Sequence, residues 1–346
     1  MATPLRTVYM DHAASTSMHP EALEAMNAVL TGSLANPSGA HRLARDARRA
    51  VDEARDLVAE LVGCSPGEVV FTSGGTEGAN AAVLGAVRRG GGTAVCPAAE
   101  HHAVLHCVEH AEGRVLPVRG DGSVDPAELS AALGRAGNVS VVSVMSVNNE
   151  VGTVSDLAAV SREVRRAAPG AVLHTDAVQA VTWLDPSTLW PHVDVLTVSA
   201  HKFGGPKGCG VMVVREGTTL EPLVLGGGQE RDRRSGTHNV AGIVATAAAM
   251  AVAHRDREAT VARVSALRTR LVDGIVSQVP VATPTVDAAV PGIAHLCLEG
   301  LESESILFLL DEQGVCASAA SACASGAMEP SHVLAAMGVP ARRAGG

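Results

Sequence analysis

The chain has 346 residues, 47% of them apolar and only 2% aromatic, with a formal net charge of −9. That length allows two lobes, and the composition requires a core built mostly of Ala, Val and Leu. The acidic balance argues against nucleic acid as a direct partner, and no run of about 18 apolar residues offers a membrane span.

The first residues, MATPLRTVYMDHAAST, have no apolar signal core, so the expectation is a cytoplasmic chain. Seven cysteines, none in a CxxC pair, point to buried or reactive thiols rather than a disulfide framework.

In chain order, a helix is predicted over 41–62, with Leu43, Ala47, Ala50, Ala54, Leu57, Val58 and Leu61 at helical spacing. Strand-like runs follow at 68–73, 93–97, 138–145, 171–176, 194–200 and 210–214, alternating with helical stretches. That alternation predicts an α/β fold with a mostly parallel sheet flanked by helices. A long helix over roughly 238–278 precedes a further strand candidate at 292–298. It would carry the chain from a large domain, 14–253, to a small one built from 1–13 and 254–346.

Ligands in open α/β sheets bind at the carboxyl ends of strands, and several polar residues fall there. The first strand runs into SGGTEGAN, residues 73–80, with Gly75 and Thr76 at the start of the next helix. Exposed N–H groups, a hydroxyl and the helix dipole suit a phosphate, while an ordinary capped βα turn explains the same residues. It is not a Walker loop, because no GK[ST] closes it.

The strand AVLHTD ends in Asp176, with Gln179 three residues on; the carboxylate is either a helix cap or a buried partner for a cation. The strand DVLTVSA ends near Ser199, followed by His201 and Lys202 and the turn GGPKG. Lys202 is either a snorkelling surface lysine or a Schiff-base former. Lys207, in the same turn, is expected to be solvated.

A phosphate cradle, a carboxylate after one strand and a lysine after a later one are together what pyridoxal phosphate requires.

In HHAVLHCVEH, residues 101–110, His102, His106 and His110 share one helix face. A zinc site and a solvated face both fit that spacing, and with no further ligand evident no metal is expected. His101 is a polar helix-start residue or a ring that stacks on a flat cofactor.

Cys323 lies in the small-residue run SAASACASGAMEPSHVL, before a helix expected from Glu329–Pro330. It is a buried thiol or a loop nucleophile. Cys64, Cys96, Cys107, Cys209 and Cys297 are expected to be buried, with Cys316 undecided.

MDHAAST, NPSGAHRLAR, VVFTSGGTEGAN, AEHHAVL, SVNNEVGTV, HTDAVQAV, SAHKFGGPKG, GGGQERDRRSGT and SACASGAMEPSHVL together resemble the NifS/IscS-type cysteine desulfurases. These are fold-type I pyridoxal phosphate enzymes of the class-V aminotransferase group, and the match runs in order from residue 10 to about 338. The SAC loop followed by EPS resembles the longer-loop subgroup.

The resemblance implies a seven-stranded large domain and pyridoxal 5'-phosphate as cofactor. It implies that Lys202 carries the cofactor's aldehyde and shuttles protons, and that Asp176 pairs with the pyridine nitrogen. His101 would stack on the ring, Gln179 would reach its phenolic oxygen, and Asn149 would lie beside cofactor and substrate. Gly75, Thr76, Ser199 and His201 would hold the phosphate, and Thr237 would reach that of the partner subunit in a homodimer. Cys323 would take sulfur from L-cysteine as a persulfide, leaving alanine, and pass it to a sulfur-acceptor protein. Iron–sulfur assembly, tRNA thiolation, DNA sulfur modification and thio-natural-product synthesis all draw on such enzymes.

Two departures temper these expectations. The chain stops at VPARRAGG, where the family continues into an R-x-S-x-G-like segment whose arginine clamps the substrate carboxylate. Arg342 and Arg343 do not sit in that motif, so a truncated chain that binds cysteine weakly is expected. Ala320 stands where the family usually has a glycine, which reduces backbone freedom near Cys323. Another pyridoxal phosphate lyase or aminotransferase of this fold, or a non-catalytic scaffold, stays open as an alternative.

Overall fold

The computed structural model describes residues 7–32, 35–319 and 331–345. In chain order its elements are β1 (Val8–Tyr9), α1 (Pro20–Gly32), α2 (Arg42–Val62), β2 (Val69–Thr72), α3 (Gly75–Gly90), β3 (Thr93–Pro97), α4 (His102–His110) and β4 (Arg114–Leu116). There follow α5 (Pro126–Ala136), β5 (Val139–Ser143), α6 (Leu157–Ala167), β6 (Val172–Asp176), α7 (Pro186–Leu189), β7 (Val195–Ser199) and β8 (Gly210–Val214). The last are α8 (Val240–Gln278), β9 (Ala282–Pro284), β10 (Leu296–Leu298), α9 (Ser303–Glu312), β11 (Val315–Cys316), α10 (His332–Ala336) and α11 (Ala341–Ala344).

The central sheet has seven strands in the order β2-β8-β7-β6-β5-β3-β4. It is parallel except at β8, which runs antiparallel to both β2 and β7. This is the mostly parallel seven-stranded sheet expected. Strands β2, β5, β7 and β8 are buried along their whole length, which is why they read as continuous Val-rich runs rather than alternating ones. The seventh strand, β4, lies at the edge with Arg114 and Val115 exposed. Three residues without alternation carry no strand signal.

One face of the sheet packs against α3 and α4, where Ala79, Val83, Ala86, Val104 and Val108 are fully or almost fully buried. The larger cluster joins α2, α6 and the first half of α8 to the other face through Val58, Val62, Leu173, Leu196 and Met250. Small side chains let these layers approach closely, consistent with the near absence of aromatics.

The buried stripe of α2 is Ala44, Ala47, Val51, Ala54, Arg55, Val58, Ala59 and Val62. Leu43, placed on that face by periodicity, is 42% exposed. The stripe includes Arg55, whose burial rests on an ion pair and so leaves no apolar signal. Helix α8 begins at Val240 and is buried only as far as Ala253; beyond that its residues are half-buried or exposed.

Two small sheets lie outside the central one. β9 and β10 pair antiparallel, and β1 pairs in parallel with β11 through Val8–Val315 and Tyr9–Cys316. Helix α10 starts at His332, capped by Ser331, so the start expected at Glu329–Pro330 falls outside the described residues. Among the described residues no helix is long and apolar enough to cross a membrane.

Candidate active site

β7 ends at Ser199, and a single 3₁₀ turn over Ala200–Lys202 places His201 and Lys202 just past its carboxyl end. The turn is held by the segment before α1: the Thr16 N–H and hydroxyl both donate to the His201 carbonyl, and the Gly204 N–H donates to the Thr16 hydroxyl. Lys202 Nζ donates to the carbonyl oxygens of Ala13, at 2.5 Å, and Ala14, at 3.0 Å. A lysine anchored to two main-chain carbonyls is not a freely solvated surface group.

Asp176 closes β6, between β5 and β7 in the central sheet. It is 6% exposed, and its Oδ1 accepts the Val178 N–H at 2.9 Å. That is the bond of a capping aspartate, yet burial raises the carboxyl to about 6 against the lowering effects of this N–H and of Lys202. Gln179, also buried, donates from Nε2 to the Ala13 carbonyl at 2.7 Å. Lys202 and Gln179 therefore converge on one oxygen.

His101 is the N-cap of α4, and its Nδ1 accepts the Ala103 N–H at 3.0 Å. Burial first, then the charge of Lys202, lowers its pKa to about 4. The ring is thus neutral near pH 7, with its proton on Nε2. His101 is thus a helix cap whose ring lies within electrostatic reach of the lysine.

A cavity of about 360 Å³ opens beside this group, lined among the described residues by Ala14, Ser15, Ser73–Glu77, Ser199, His201, Lys207 and Gly208. Gly74, the N-cap of α3, has no side chain to satisfy the first-turn N–H groups, which leaves them available to an anion. Its φ of +156° favours glycine. Gly75 packs so closely that a Cβ there would lie 2.5 Å from Val178 Cγ2. His201 is pushed down to about 4 by burial and then by the charges of Lys202 and Lys207, so it faces the cavity as a neutral ring.

Asn149 follows β5 in a turn held by its neighbour: Asn148 Oδ1 accepts the N–H groups of Glu150 and Val151. Asn149 Oδ1 is buried without a hydrogen-bond partner among the described residues. Asn148 Nδ2 also donates to the Ala99 carbonyl, next to Glu100, which is 1% exposed and accepts the Met145 N–H at 2.5 Å; burial raises its pKa well above the carboxylate range. The Ser331 hydroxyl donates to Glu150, and His332 Nε2 bonds the Glu100 carbonyl at 2.9 Å, bringing the start of α10 against these two residues.

The structure thus gathers Gly75, Thr76, His101, Asp176, Gln179, Ser199, His201 and Lys202 around the strand ends. Thr237 is not among the residues lining the cavity; it lies exposed between Gly236 and His238. Cys323 and Ala320 lie outside the described residues.

The His102 ring stacks on His106 at 4.7 Å and tilts against His332 at 4.2 Å, and among the described residues no group of three or more ligand side chains could hold a metal. Cys96, Cys107, Cys209 and Cys297 are buried as expected; Cys64 is only half-buried, though burial still pushes its thiol up to about 12. Cys316 is half-buried beside β1.

Three features escaped the sequence reading. The Ala13 and Ala14 carbonyls are main-chain groups and carry no residue-type signal. Lys207 is exposed, as expected, but it also lines the cavity. Glu77 takes the Ser73 N–H at 2.9 Å and a forked pair of bonds from Arg234 at 2.9 and 3.2 Å. Glu in the first turn of a helix was the available signal there, but its partner lies 157 residues away.

The class-V aminotransferase family profile matches residues 8–344. The chain is 43% identical to an IscS-like cysteine desulfurase of Mycobacterium tuberculosis, over 98% of this chain and 89% of that protein. A solved NifS-like protein superposes with a TM-score of 0.91 at 32% identity, covering 99% of this chain and 92% of that one. The structure of SspA in complex with cysteine is also similar, with a TM-score of 0.84 at 29% identity, covering 98% of this chain and 96% of that one. The chain belongs to the class-V aminotransferase family and, within it, to the cysteine desulfurases of the NifS/IscS type.

Proposed function

We propose that this protein is a pyridoxal 5'-phosphate-dependent cysteine desulfurase that converts L-cysteine to L-alanine and carries the sulfur on Cys323 to a sulfur-acceptor protein. One observation carries the reading: Lys202 is anchored at the end of β7 within the electrostatic field of buried Asp176, beside a cavity lined by the uncapped start of α3.

The residues fit the cofactor. The Gly74–Gly75 cradle leaves no room for a Cβ at Gly75, and the buried Asn149 Oδ1 waits for a donor that the described residues do not supply. Bound there, pyridoxal phosphate supplies an electron sink that draws charge out of the substrate's carbon framework.

The chain's own residues divide the remaining work. Lys202 Nζ, oriented by the Ala13 and Ala14 carbonyls, would hold the cofactor's aldehyde carbon and, when free, would move protons to and from substrate carbon. Asp176 offers a buried carboxyl, raised to about 6 by burial and ionised above that, and an anion with so little solvent around it suits a protonated ring nitrogen. Neutral His101 gives a flat face for stacking. Gln179 presents an amide N–H to a phenolic oxygen, and Asn149 lies beside substrate. Gly75 and Thr76 with the α3 N-terminus, Ser199 and His201 hold the phosphate.

The sulfur step balances without an outside oxidant. The Cys323 thiolate forms a bond to the substrate sulfur as the substrate Cβ–S bond breaks. The electron pair left on carbon takes a proton, giving alanine, and Cys323 keeps the sulfur as a persulfide.

Exposed Thr237 suits contact with the phosphate of a second subunit, so the working unit is a homodimer with shared sites. The working division is a large domain over 14–253 and a small one from 1–13 and 254–346, and the site of action is the cytoplasm. The test is product analysis of the pyridoxal phosphate-loaded protein. One L-alanine per L-cysteine consumed supports the reading; pyruvate and ammonia as the products would place the chain with a different lyase chemistry.

A further inference from the structure

The phosphate end of the pocket poses a charge problem. Glu77 brings a carboxylate to the cavity, but the forked bonds from Arg234 neutralise it. His201 is held neutral by burial and by its cationic neighbours. The α3 N-terminus, Ser73, Thr76 and Ser199 offer dipoles rather than a full charge. A phosphate monoester carrying nearly two negative charges would meet no uncompensated positive side chain from these groups.

Lys207 is the lysine in the cavity wall. Among the described residues no hydrogen bond or ion pair engages its ammonium, while its charge reaches the His201 ring and depresses it. Its place is fixed by backbone rather than by side-chain partners. Gly204 and Gly208, at φ +80° and +73°, shape the turn that presents it, and buried Pro206 lies between them. The turn then feeds β8, where Gly210 packs against the phosphate-loop backbone so tightly that a Cβ there would lie 2.6 Å from Gly74 Cα. The loop that carries Lys207 and the loop that starts α3 are therefore joined at the backbone.

We infer that Lys207 is a further cofactor-binding residue, supplying the formal positive charge that balances the phosphate. The inference rests on the pyridoxal phosphate reading and adds to it the group that distinguishes the phosphorylated from the unphosphorylated aldehyde. A compact ammonium acting as a point charge suits this role, because the phosphate's directional hydrogen bonds already come from N–H and hydroxyl groups.

The experiment compares binding of pyridoxal phosphate and of pyridoxal to cofactor-free wild-type, Lys207→Gln and Lys207→Arg proteins at low and high salt, with circular dichroism as the control for folding. Lys207→Gln is expected to weaken pyridoxal phosphate about tenfold and pyridoxal less than about twofold, and to flatten the salt dependence. Lys207→Arg is expected to stay within about threefold of wild type for both ligands. Equal affinity of Lys207→Gln and wild type for pyridoxal phosphate would overturn the inference. So would a parallel loss of both ligands, which marks a structural role. Failure of the wild type to bind pyridoxal phosphate at all would instead overturn the reading on which the inference rests.

Discussion

Lys202 and Gln179 donate to the same oxygen, the carbonyl of Ala13, at 2.5 and 2.7 Å. The two side chains come from different strand ends, β7 and β6, yet one main-chain group from the segment before α1 positions both. Removing Lys202 removes the amine itself, so Lys202→Ala reconstituted with pyridoxal phosphate is expected to lack the visible band of the lysine-bound cofactor. Gln179→Leu keeps the amine but leaves the Ala13 carbonyl wholly to it. It is expected to acquire the band a few-fold more slowly than wild type, the scale of one net hydrogen bond. Stopped-flow absorbance checks both; a normal band in Lys202→Ala would contradict the assignment.

Asp176 gives a pH signature in the cofactor-free protein. Its folded pKa, about 6, lies above the ordinary value of about 3.9, so folding favours the protonated form. The cost of ionising it in the fold is absent below about pH 4, grows between 4 and 6, and is complete above 6. Between pH 4.5 and 7.5 this amounts to about 2 kcal/mol of lost stability. Asp176→Asn keeps an oxygen for the Val178 N–H and removes the ionisation. Its urea-unfolding stability is expected to fall by about 2 kcal/mol less than that of wild type over the same range. Identical pH dependence in the two proteins would show that the fold does not raise the Asp176 carboxyl.

Arg55 and Glu230 form a buried forked pair at 2.7 and 2.8 Å, extended by the Phe71 N–H and by His238. Burial opposes ionisation of Glu230, yet the bonds from Arg55 and His238 hold its carboxyl at about 2. The pair ties α2 and β2 to the loop that carries Thr237, where Glu230, Arg231 and Asp232 all have positive φ. Arg55→Met and Glu230→Leu are each expected to destabilise the fold, Arg55→Met by about 3–5 kcal/mol because it strands a buried charge. The double variant is expected to lose markedly less than the sum of the two single losses. Additive losses in chemical denaturation would argue against a coupled pair.

Much of this site could be read from residue types at strand ends. Asp176, Ser199, His201 and Lys202 stand where continuous apolar runs stop, and the sheet order brings those stops together. β4 escaped because three edge residues with an exposed arginine have neither alternation nor burial. The Leu43 face of α2 was misplaced because the true stripe includes a charged residue made compatible with burial by a partner 175 residues away. Lys207 shows a different limit. Its sequence setting is that of a solvated turn lysine, and only the Gly210–Gly74 backbone contact places it at the cavity.

The central claim is that sulfur leaves L-cysteine onto Cys323. Its most direct test is intact mass analysis of the pyridoxal phosphate-loaded protein after brief incubation with L-cysteine, without reductant, beside the Cys323→Ala variant. The account predicts a gain of one sulfur atom in the wild type and none in the variant, with cofactor bound equally in both. A sulfur adduct that persists in Cys323→Ala, or no adduct in a wild type that consumes cysteine, would contradict it.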